Sequence, residues 1–444
     1  MDPTTIGIWA TAGMVTMLLL RIPIAVVLIA TGYTGLILVM ASRGDSFDLE
    51  QGFITANSFL GELPYSSTAE YTFTTIPMFL LMGYVATEAG FTKDIYHTAR
   101  MWLGRMPGGL AVASSVGCAL FAAISGSSLA TAAAMGRMAV PEMLARGYDK
   151  GLATGVVAAS GTLGSLIPPS ILMILYAVFT DQSIAAMFVA GVIPGLLSLL
   201  IYVAMVMIRA KLNPDLAPPT PKVSWQEKFG SLKSTWGMLL LIVVVVSGLY
   251  SGLFTPSEAG AIGASIAFII SLVARRLDRK KTSTALLETL KSTSMLFAAV
   301  IGAYMVTSFT ALTGIAADLT SWAGGFDVHP VVVIASLSVL YIFLGTFMGS
   351  IEIMLLTLPI VIPIVQGLEY DLIWFGIIMI KYLEIGLVSP PVGINCFILK
   401  TVVDDSVRLG DIFKGVSWFI AMDIVTIALL VAFPEIVTFL PSLM

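Results

Sequence analysis

Residues 164–174 read GSLIPPSILMI, and the adjacent prolines Pro168 and Pro169 decide how this apolar stretch can fold. A proline inside a helix lacks the N–H of the intrahelical hydrogen bond and clashes with the carbonyl four residues earlier, which costs about 3 kcal/mol or more. A second stretch with paired prolines, GLVSPPVGINC, occupies residues 386–396. The sequence therefore predicts two interrupted helices, one in each half of the chain.

The composition around these stretches is typical of a membrane protein. Of the 444 residues, 57% are hydrophobic and 11% are charged, and the mean hydropathy is +0.96. The charged share is less than half of the roughly 25% usual in soluble domains. The net charge of −4 comes without a basic stripe, which argues against nucleic acid as a partner. We therefore expect an all-α polytopic membrane protein whose N-terminal stretch 1–20 is a retained membrane segment.

Two apolar segments, 107–145 and 329–366, are too long for one span of about 20 residues. Each has a short sequence of small residues near its centre, GSS at 126–128 and GTFMGS at 345–350. Two short helices joined at such a tip would enter and leave the membrane on the same side. The sequence predicts one re-entrant hairpin in each half.

Charged loops set the expected orientation, since Lys and Arg favour the cytoplasmic side. The loops 209–233 and 275–281 are basic, whereas 43–70 is acidic and fits outside. The stretch 92–105 has the pattern of an amphipathic interfacial helix on the cytoplasmic side. This scheme gives each half about five membrane-spanning helices and a hairpin. Because that number of crossings is odd, the halves have opposite orientations, which predicts two inverted-topology repeats, at 1–210 and 236–444, joined by a cytoplasmic linker at 211–235.

The repeat is also visible in the letters. PEMLARGYD at 141–149 corresponds to PIVQGLEYD at 363–371, and the two proline pairs are separated by the same offset of 222 residues. The two hairpin tips agree with that offset within one residue. Farther upstream, RIP at 21–23 and FTP at 254–256 are separated by an offset of 233 residues rather than 222. The first half therefore carries about 11 extra residues, which we place in the 43–70 loop.

The hairpin tips and interrupted helices are the candidate binding site. Transporters with inverted repeats bind ions and substrate at discontinuous helices, where freed carbonyls suit a hard cation and freed N–H groups suit an anion. The alternative is that these small residues only pack helices together. Arg137, on the return arm of the first hairpin, is an ionisable residue in an apolar run and a functional candidate, whereas Lys381 and Glu384, three residues apart, are expected to pair with each other. The candidate backbone and side-chain groups are those of Gly126, Ser127, Ser128 and Gly164 in the first half, and Gly345, Thr346, Gly349, Ser350, Gly386, Ser389 and Asn395 in the second.

Enzyme motifs do not account for the sequence. No HExxH, P-loop or GxSxG pattern is present. The pairs Tyr148-Asp149 and Tyr370-Asp371 are reminiscent of intramembrane aspartyl proteases, but they fall at segment ends, where aspartate usually caps a helix. We therefore expect a protein that is not an enzyme and needs no cofactor.

With these residues in view, the chain resembles the large membrane subunit of tripartite ATP-independent periplasmic (TRAP) transporters. The similarity covers nearly the whole chain. It is carried by SGSSLATAAAMGRMAVPEMLARGYDKGLATG (125–155), GTLGSLIPPS (161–170), GLFTPSEAGAIGA (252–264) and EIGLVSPPVGIN (384–395).

The resemblance implies a fold and an activity. It implies an elevator-type permease of the ion transporter superfamily in the bacterial inner membrane, surrounded by lipid. Its activity would be sodium-driven uptake of an organic acid anion, such as a C4-dicarboxylate, sialic acid or a similar carboxylate. The partners implied are a periplasmic solute-binding protein and a separate small four-helix membrane subunit. The alternative is a stand-alone sodium/carboxylate symporter with two hairpins; a channel or a membrane enzyme is a more distant alternative.

The resemblance also implies where the ligands bind. Sodium ions would lie between each hairpin tip and the interrupted helix of the same half, with sodium as the only metal. The substrate carboxylate would lie between the tips, at Ser128, Ser350 and Asn395, with Arg137 as a further candidate. The sodium site residues would be Gly126, Ser127, Ser128, Gly164 and Pro168 in the first half, and Gly345, Thr346, Gly349, Gly386 and Ser389 in the second.

Overall fold

The computed structural model describes residues 2–20, 22–43, 47–220, 223–315 and 330–444. The described residues form helices and loops without a β-strand, which confirms the all-α prediction. The helices up to the linker are α1 (Pro3–Leu19), α2 (Ile24–Ala41), α3 (Leu49–Ser66), α4 (Thr75–Glu88), α5 (Phe91–Leu103), α6 (Gly109–Ser125), α7 (Ser128–Ala145), α8 (Lys150–Thr162), α9 (Ile171–Phe179) and α10 (Ile184–Leu212).

The described residues of the second part of the chain are also mainly helical. Its helices are α11 (Trp225–Tyr250), α12 (Pro256–Val273), α13 (Arg279–Thr313), α14 (Pro330–Gly345), α15 (Ser350–Gly367), α16 (Leu372–Val388), α17 (Ile394–Val402), α18 (Leu409–Ala432) and the short α19 (Glu435–Thr438). Residue 329, at which we expected the second hairpin to begin, and Arg21 of the RIP sequence lie outside the described residues.

Several helices are long and apolar enough to cross a membrane. Seven of those in the described ranges meet that criterion by length and composition: α2, α10, α11, α12, α13, α15 and α18. Together with the high hydropathy, they fit the predicted multi-pass membrane protein.

Capping residues explain two helix starts that the sequence analysis placed inside loops. Asp48 accepts hydrogen bonds from the N–H groups of Glu50 and Gln51 and so begins α3, within the predicted 43–70 loop. Ser224 and Glu227 form a reciprocal capping box at the start of α11, so the end of the predicted 211–235 linker is helical. The expectation of continuous loops was wrong at both places because local capping signals outweigh the polar composition.

The chain forms two compact units, and each combines separate stretches of sequence. The first consists of 1–74, 290–336 and 351–372, and its core includes Leu36 and Phe309. In this unit α2 packs closely on α13, since a Cβ on Gly32 would lie 2.6 Å from the Cβ of Met305.

The second unit, made of 75–289, 337–350 and 373–444, contains both hairpin tips and both interrupted helices. Its closest helix packing joins α8 to α18, where a Cβ on Gly155 would lie 2.5 Å from the carbonyl carbon of Gly415. Glycine at these positions allows the backbones to approach, as in other packed membrane helices. All the site contacts described below lie within this unit.

Candidate functional site

The first hairpin tip is a two-residue junction between α6 and α7. Gly126 ends α6 in the left-handed conformation, with φ of +59°, which glycine adopts without strain. Ser127 then begins α7, and its hydroxyl accepts a hydrogen bond from the N–H of Ala130 at 3.3 Å. The chain is therefore interrupted between α6 and α7 at GSS, and the re-entrant course of these two helices stays a prediction.

This tip rests on the interrupted helix of the same half. The Ser128 hydroxyl lies 2.8 Å from that of Ser165 and 3.4 Å from the carbonyl oxygen of Thr162, at the end of α8. A Cβ on Gly164 would lie 3.0 Å from the Cβ of Ala122 on α6. Hydroxyl and carbonyl oxygens of two separate elements therefore converge at this contact.

The break in the first interrupted helix separates α8 from α9. Its chain passes through Pro168 and Pro169, joined by a cis peptide bond, before Ser170 caps α9. Neither proline can donate to the carbonyls of Gly164 and Ser165, four residues earlier. Those carbonyls therefore lack their usual helical donors beside the tip, and their role as cation ligands stays a prediction.

The second tip spans residues 346–349, between α14 and α15, and includes Gly349. The backbone carbonyl of Thr346 accepts a hydrogen bond from the N–H of Gly393 at 3.1 Å, which ties the tip to the start of α17. A Cβ built on Gly345 would lie only 2.6 Å from the Cα of Gly386. The tip thus contacts the interrupted helix backbone to backbone, at a distance that only glycine permits.

The second break also contains a proline pair, but Gly393 in the left-handed conformation, rather than a serine, begins the helix that follows. Pro390 and Pro391 are joined by a cis peptide bond between α16 and α17. Thr346 and Ser389 directly follow the last residues of α14 and α16. Their hydroxyls donate to backbone carbonyls of those preceding helices, to Phe343 at 2.8 Å and to Ile385 at 2.7 Å. Because a hydroxyl that donates its proton keeps its lone pairs, both oxygens remain available to a cation.

Two buried side chains near the second tip have an atom without a hydrogen-bond partner. These atoms are the Ser350 hydroxyl oxygen and Oδ1 of Asn395. The amide nitrogen of Asn395 donates to the carbonyl of Ala158 on α8, at 3.3 Å. Asn395 thereby links α17 of the second half to α8 of the first, and its free atom is an acceptor. Buried polar atoms usually have partners, so these two are suited to a bound ligand.

Arg137 lies away from the first tip. It lies exposed on α7, nine residues after Ser128, which corresponds to about 14 Å along a helix at about 1.5 Å per residue. Its role as a substrate ligand stays a prediction.

A buried charge network lies on the second interrupted helix. Lys381 and Glu384 pair at 2.9 Å, as predicted from their spacing. The Lys381 ammonium also lies 2.7 Å from Asp423 on α18, and that carboxylate accepts a hydrogen bond from the Tyr202 hydroxyl of α10 at 2.6 Å. All four side chains are buried, so the network connects three helices inside the second unit.

Sequence reasoning missed two residues of the charge network, Asp423 and Tyr202. Asp423 stands in the apolar run SWFIAMDIVTIALL, and a carboxylate there was a readable signal of a buried ion pair. Ser165 lies in the stretch 161–168 of the interrupted helix that the resemblance pairs with the first tip, although it was not singled out as a sodium ligand. Tyr202 gave no signal, because an apolar helix contains many aromatic residues without polar partners.

Comparison with known proteins places the chain among transporters. A family model described as "Tripartite ATP-independent periplasmic transporter, DctM component" matches residues 11–436. The C4-dicarboxylate TRAP transporter large permease protein DctM of Pseudomonas aeruginosa is 37% identical over 381 residues, which are 85% of this chain and 86% of that protein. The sialic acid TRAP transporter large permease protein SiaM of Vibrio cholerae is 30% identical over 390 residues, covering 88% and 90%.

A solved structure shares the fold at low sequence identity. The YdaH transporter of Alcanivorax borkumensis matches 98% of this chain and 99% of its own with a TM-score of 0.62 and 13% identity. That likeness concerns the fold alone.

Proposed function

Because this chain belongs to the DctM family of tripartite ATP-independent periplasmic (TRAP) transporters and is a large permease of that family, we propose that it drives the uptake of an organic acid anion with sodium. It would work in the bacterial inner membrane, together with a small four-helix membrane subunit and a periplasmic solute-binding protein. The relatives are permeases rather than enzymes, in agreement with the expectation from the motifs.

The observation that carries this proposal is the matched contact of each hairpin tip with the interrupted helix of its own half. Ser128 meets Ser165 and Thr162 in the first half, and Gly345 meets Gly386 in the second. Each contact lies beside a proline pair that frees backbone carbonyls. Carbonyl and hydroxyl oxygens are ligands that a hard cation prefers.

Sodium binding would order the two tips. At the first tip we assign the ion to the hydroxyls of Ser128 and Ser165 and the freed carbonyl of Gly164. At the second we assign it to the oxygens of Thr346 and Ser389. If sodium holds both tips in place, it prepares the anion site between them, and the anion then binds well only when sodium is present.

The anion would bind where the hairpin return arms begin. Ser128 and Ser350 are the first residues of α7 and α15, and helix N-termini present N–H groups and a positive dipole end to an anion. The unpartnered Ser350 hydroxyl can donate to a carboxylate. Oδ1 of Asn395 is an acceptor, so it would face a cation or a donor group of the substrate rather than a carboxylate oxygen. Related permeases named for C4-dicarboxylates and sialic acid support a carboxylate substrate.

An inverted repeat and an elevator motion are part of the same proposal. Helix bounds support the repeat: α7 (Ser128–Ala145) and α15 (Ser350–Gly367) differ by 222 residues at both ends, and so do the two proline pairs. The bounds of α2 and α12 differ by 232 at both ends, which agrees with an insertion in the first half. Opposed orientation of such repeats is the usual basis of alternating access.

Uptake by the reconstituted three-component system tests the proposal. Proteoliposomes with this permease and its small subunit, given binding protein loaded with a labelled carboxylate, should accumulate the label under an inward sodium gradient. Replacing sodium with choline should abolish accumulation. Undiminished uptake in choline would contradict the sodium coupling.

Uptake measured without the binding protein distinguishes a TRAP permease from the alternative, a stand-alone sodium/carboxylate symporter. A TRAP permease should then transport little, whereas a stand-alone symporter should transport the free carboxylate at the full rate. Succinate, which is a C4-dicarboxylate, and sialic acid are the two substrates to compare, since relatives are named for C4-dicarboxylates and for sialic acid.

A further inference from the structure

A small pocket beside the base of the first hairpin is lined by two arginines. It has a volume of about 100 Å³ and lies between the end of α5, the start of α6, the end of α7 and the linker. Its lining residues are Arg100, Met101, Leu110, Arg146, Thr220 and Val223. Liquid water takes about 30 Å³ per molecule, so the pocket has room for a small ion or headgroup but not for a large substrate.

The charges around the pocket do not cancel. Glu142 accepts from Nη1 of Arg100 and lies 3.5 Å from Nη2 of Arg146, so one carboxylate serves two guanidinium groups. Each guanidinium has five N–H donors, and the second contact of Arg100 is with Nδ1 of His97 at 3.4 Å. Among the described residues, Arg100, Arg146 and Glu142 therefore leave one net positive charge and several donors at the pocket.

The helix that begins at the pocket adds to the same polarity. Leu110 is in the first turn of α6, and the residue that caps this helix, Gly108, has no side chain to cap it. The helix dipole places about half a positive charge at this end. The backbone N–H of Leu110 donates to the Tyr148 hydroxyl at 3.2 Å, which holds the helix start against the end of the hairpin.

Thr220 and Val223, both from the linker, line one side of the pocket. The Thr220 hydroxyl donates to the carbonyl of Gly104, after α5, and Val223 also contributes to the wall. This linker belongs to the basic loop 209–233 that the sequence places on the cytoplasmic side. The cytoplasmic membrane surface is where phosphate groups of anionic lipids accumulate.

We propose that the pocket lined by Arg100 and Arg146 is a binding site for a phosphate-type anion, separate from the transport site. Guanidinium groups match the geometry of phosphate oxygens and bind them with paired, charge-assisted hydrogen bonds. Such an anion would hold α5, the base of the hairpin and the linker together. The phosphate belongs either to an anionic phospholipid or to free phosphate.

Thermal unfolding of the full-length permease in nanodiscs tests the site. The first arm exchanges sodium chloride for sodium phosphate at constant ionic strength, in phosphatidylcholine discs. The second arm replaces part of the phosphatidylcholine with phosphatidylglycerol, in chloride. A rise in the unfolding temperature with phosphate identifies free phosphate as the source, and a rise with phosphatidylglycerol alone identifies the lipid headgroup. Both results support the site, provided that the variants below lose the rise.

Arg146→Gln removes one guanidinium, and the double variant Arg100→Gln/Glu142→Gln removes an ion pair without leaving an unpaired carboxylate. Arg146→Gln removes the uncompensated positive charge and should weaken the anion about tenfold or more, as expected for the loss of a charge-assisted hydrogen bond. The double variant removes one cation and one anion, so the net charge is unchanged and its loss of anion binding measures the hydrogen bonds of Arg100. Arg105→Gln is the matched control, because Arg105 is exposed in the same segment but does not line the pocket. It should respond like the wild type.

Two results would overturn the proposal. One is an unfolding temperature that neither phosphate nor phosphatidylglycerol raises. The other is a rise that persists unchanged in Arg146→Gln and the double variant, because phosphate can stabilise any folded protein through exclusion from its surface.

Discussion

Gly345 and Gly386 show how much of the proposed site depends on single residues. A Cβ on either would lie within 2.6 Å of the other's Cα, so neither position has room for a methyl group. Because the contact is between two backbones, no side chain can move aside to relieve it. The second tip can hold its position on the interrupted helix only while both residues are glycine.

Gly345→Ala or Gly386→Ala should therefore displace the second tip and weaken sodium binding. We expect the apparent sodium affinity of uptake to fall on the order of tenfold, as for the loss of one interaction with a charged group. The measurement is the sodium dependence of uptake in proteoliposomes.

Gly61→Ala is the control for this pair, because a Cβ on that exposed helical residue meets no atom within 4 Å. It should leave uptake unchanged and slightly favour the helix. Normal sodium dependence in both tip variants would show that the close contact is not part of the sodium site.

The buried ion pairs of Lys381 are a second feature that depends on single residues. The ammonium is fully buried and contacts two carboxylates, Glu384 and Asp423. Removing one member of a buried ion pair leaves an uncompensated charge, at a typical cost of about 3–5 kcal/mol. The network therefore holds the second interrupted helix in place only while its members are present together.

Lys381→Met should strongly destabilise the protein, by about 3–5 kcal/mol, because two carboxylates lose their shared cation in an apolar interior. Reversible denaturation in detergent measures the effect. Lys400→Met is the matched control, since Lys400 pairs at 3.4 Å with the exposed Asp405 and a surface pair contributes about 0–1 kcal/mol. Equal stability of the two variants would contradict the structural role of the network.

At the residue scale, the sequence identified candidate site residues more successfully than it identified the residues that they contact. Ser128 was identified from the small residues GSS at the first tip, and Gly164 and Gly386 because each stands four residues before a proline pair. Asp423 was missed as the second partner of Lys381, since 42 residues separate them and only the packing of α18 on the rest of the unit brings them together. Contacts of this kind depend on tertiary structure, which a single sequence does not specify.

At the scale of elements, the hairpins and interrupted helices follow from local chemistry. Gly126 ends α6, Ser127 caps α7, and Ser170 caps α9 after the first proline pair. Each of these positions was readable from the sequence, because glycine, serine and proline have strong local preferences. The helix α3 was not predicted, since its start depends on one aspartate cap in an otherwise polar stretch.

Replacing Pro168 and Pro169 with alanine tests the first break. Alanine restores two N–H donors, so the helix can continue through 164–170 and recapture the freed carbonyls of Gly164 and Ser165. We expect uptake to fall at least about tenfold, because the tip loses its ligands, and the protein should still fold, because alanine is smaller than proline and remains apolar at these two buried positions. Initial uptake rates at equal protein content measure this effect.

Pro214→Ala serves as the control for the break, because Pro214 is exposed in the loop after α10. Its transport rate should match that of the wild type. A double variant at Pro168 and Pro169 that transports equally well would mean that the break is dispensable.

At the scale of the whole molecule, the recurring helix bounds and the two compact units describe different divisions of the chain. The bounds recur between the two halves of the sequence, whereas each unit gathers segments from both halves. The sequence revealed the recurrence because it leaves constant offsets between matching letters. It did not reveal the units, because the assignment of segments to them depends on packing between distant helices.

The central claim is that sodium and the organic anion cross the membrane together through the sites at the hairpin tips. The most direct measurement is the simultaneous flux of labelled sodium and labelled carboxylate into the same proteoliposomes, with the binding protein present. The account predicts that sodium enters in a fixed ratio to the carboxylate, and that Ser128→Ala and Gly345→Ala reduce both fluxes together. Entry of the carboxylate without any sodium would contradict it.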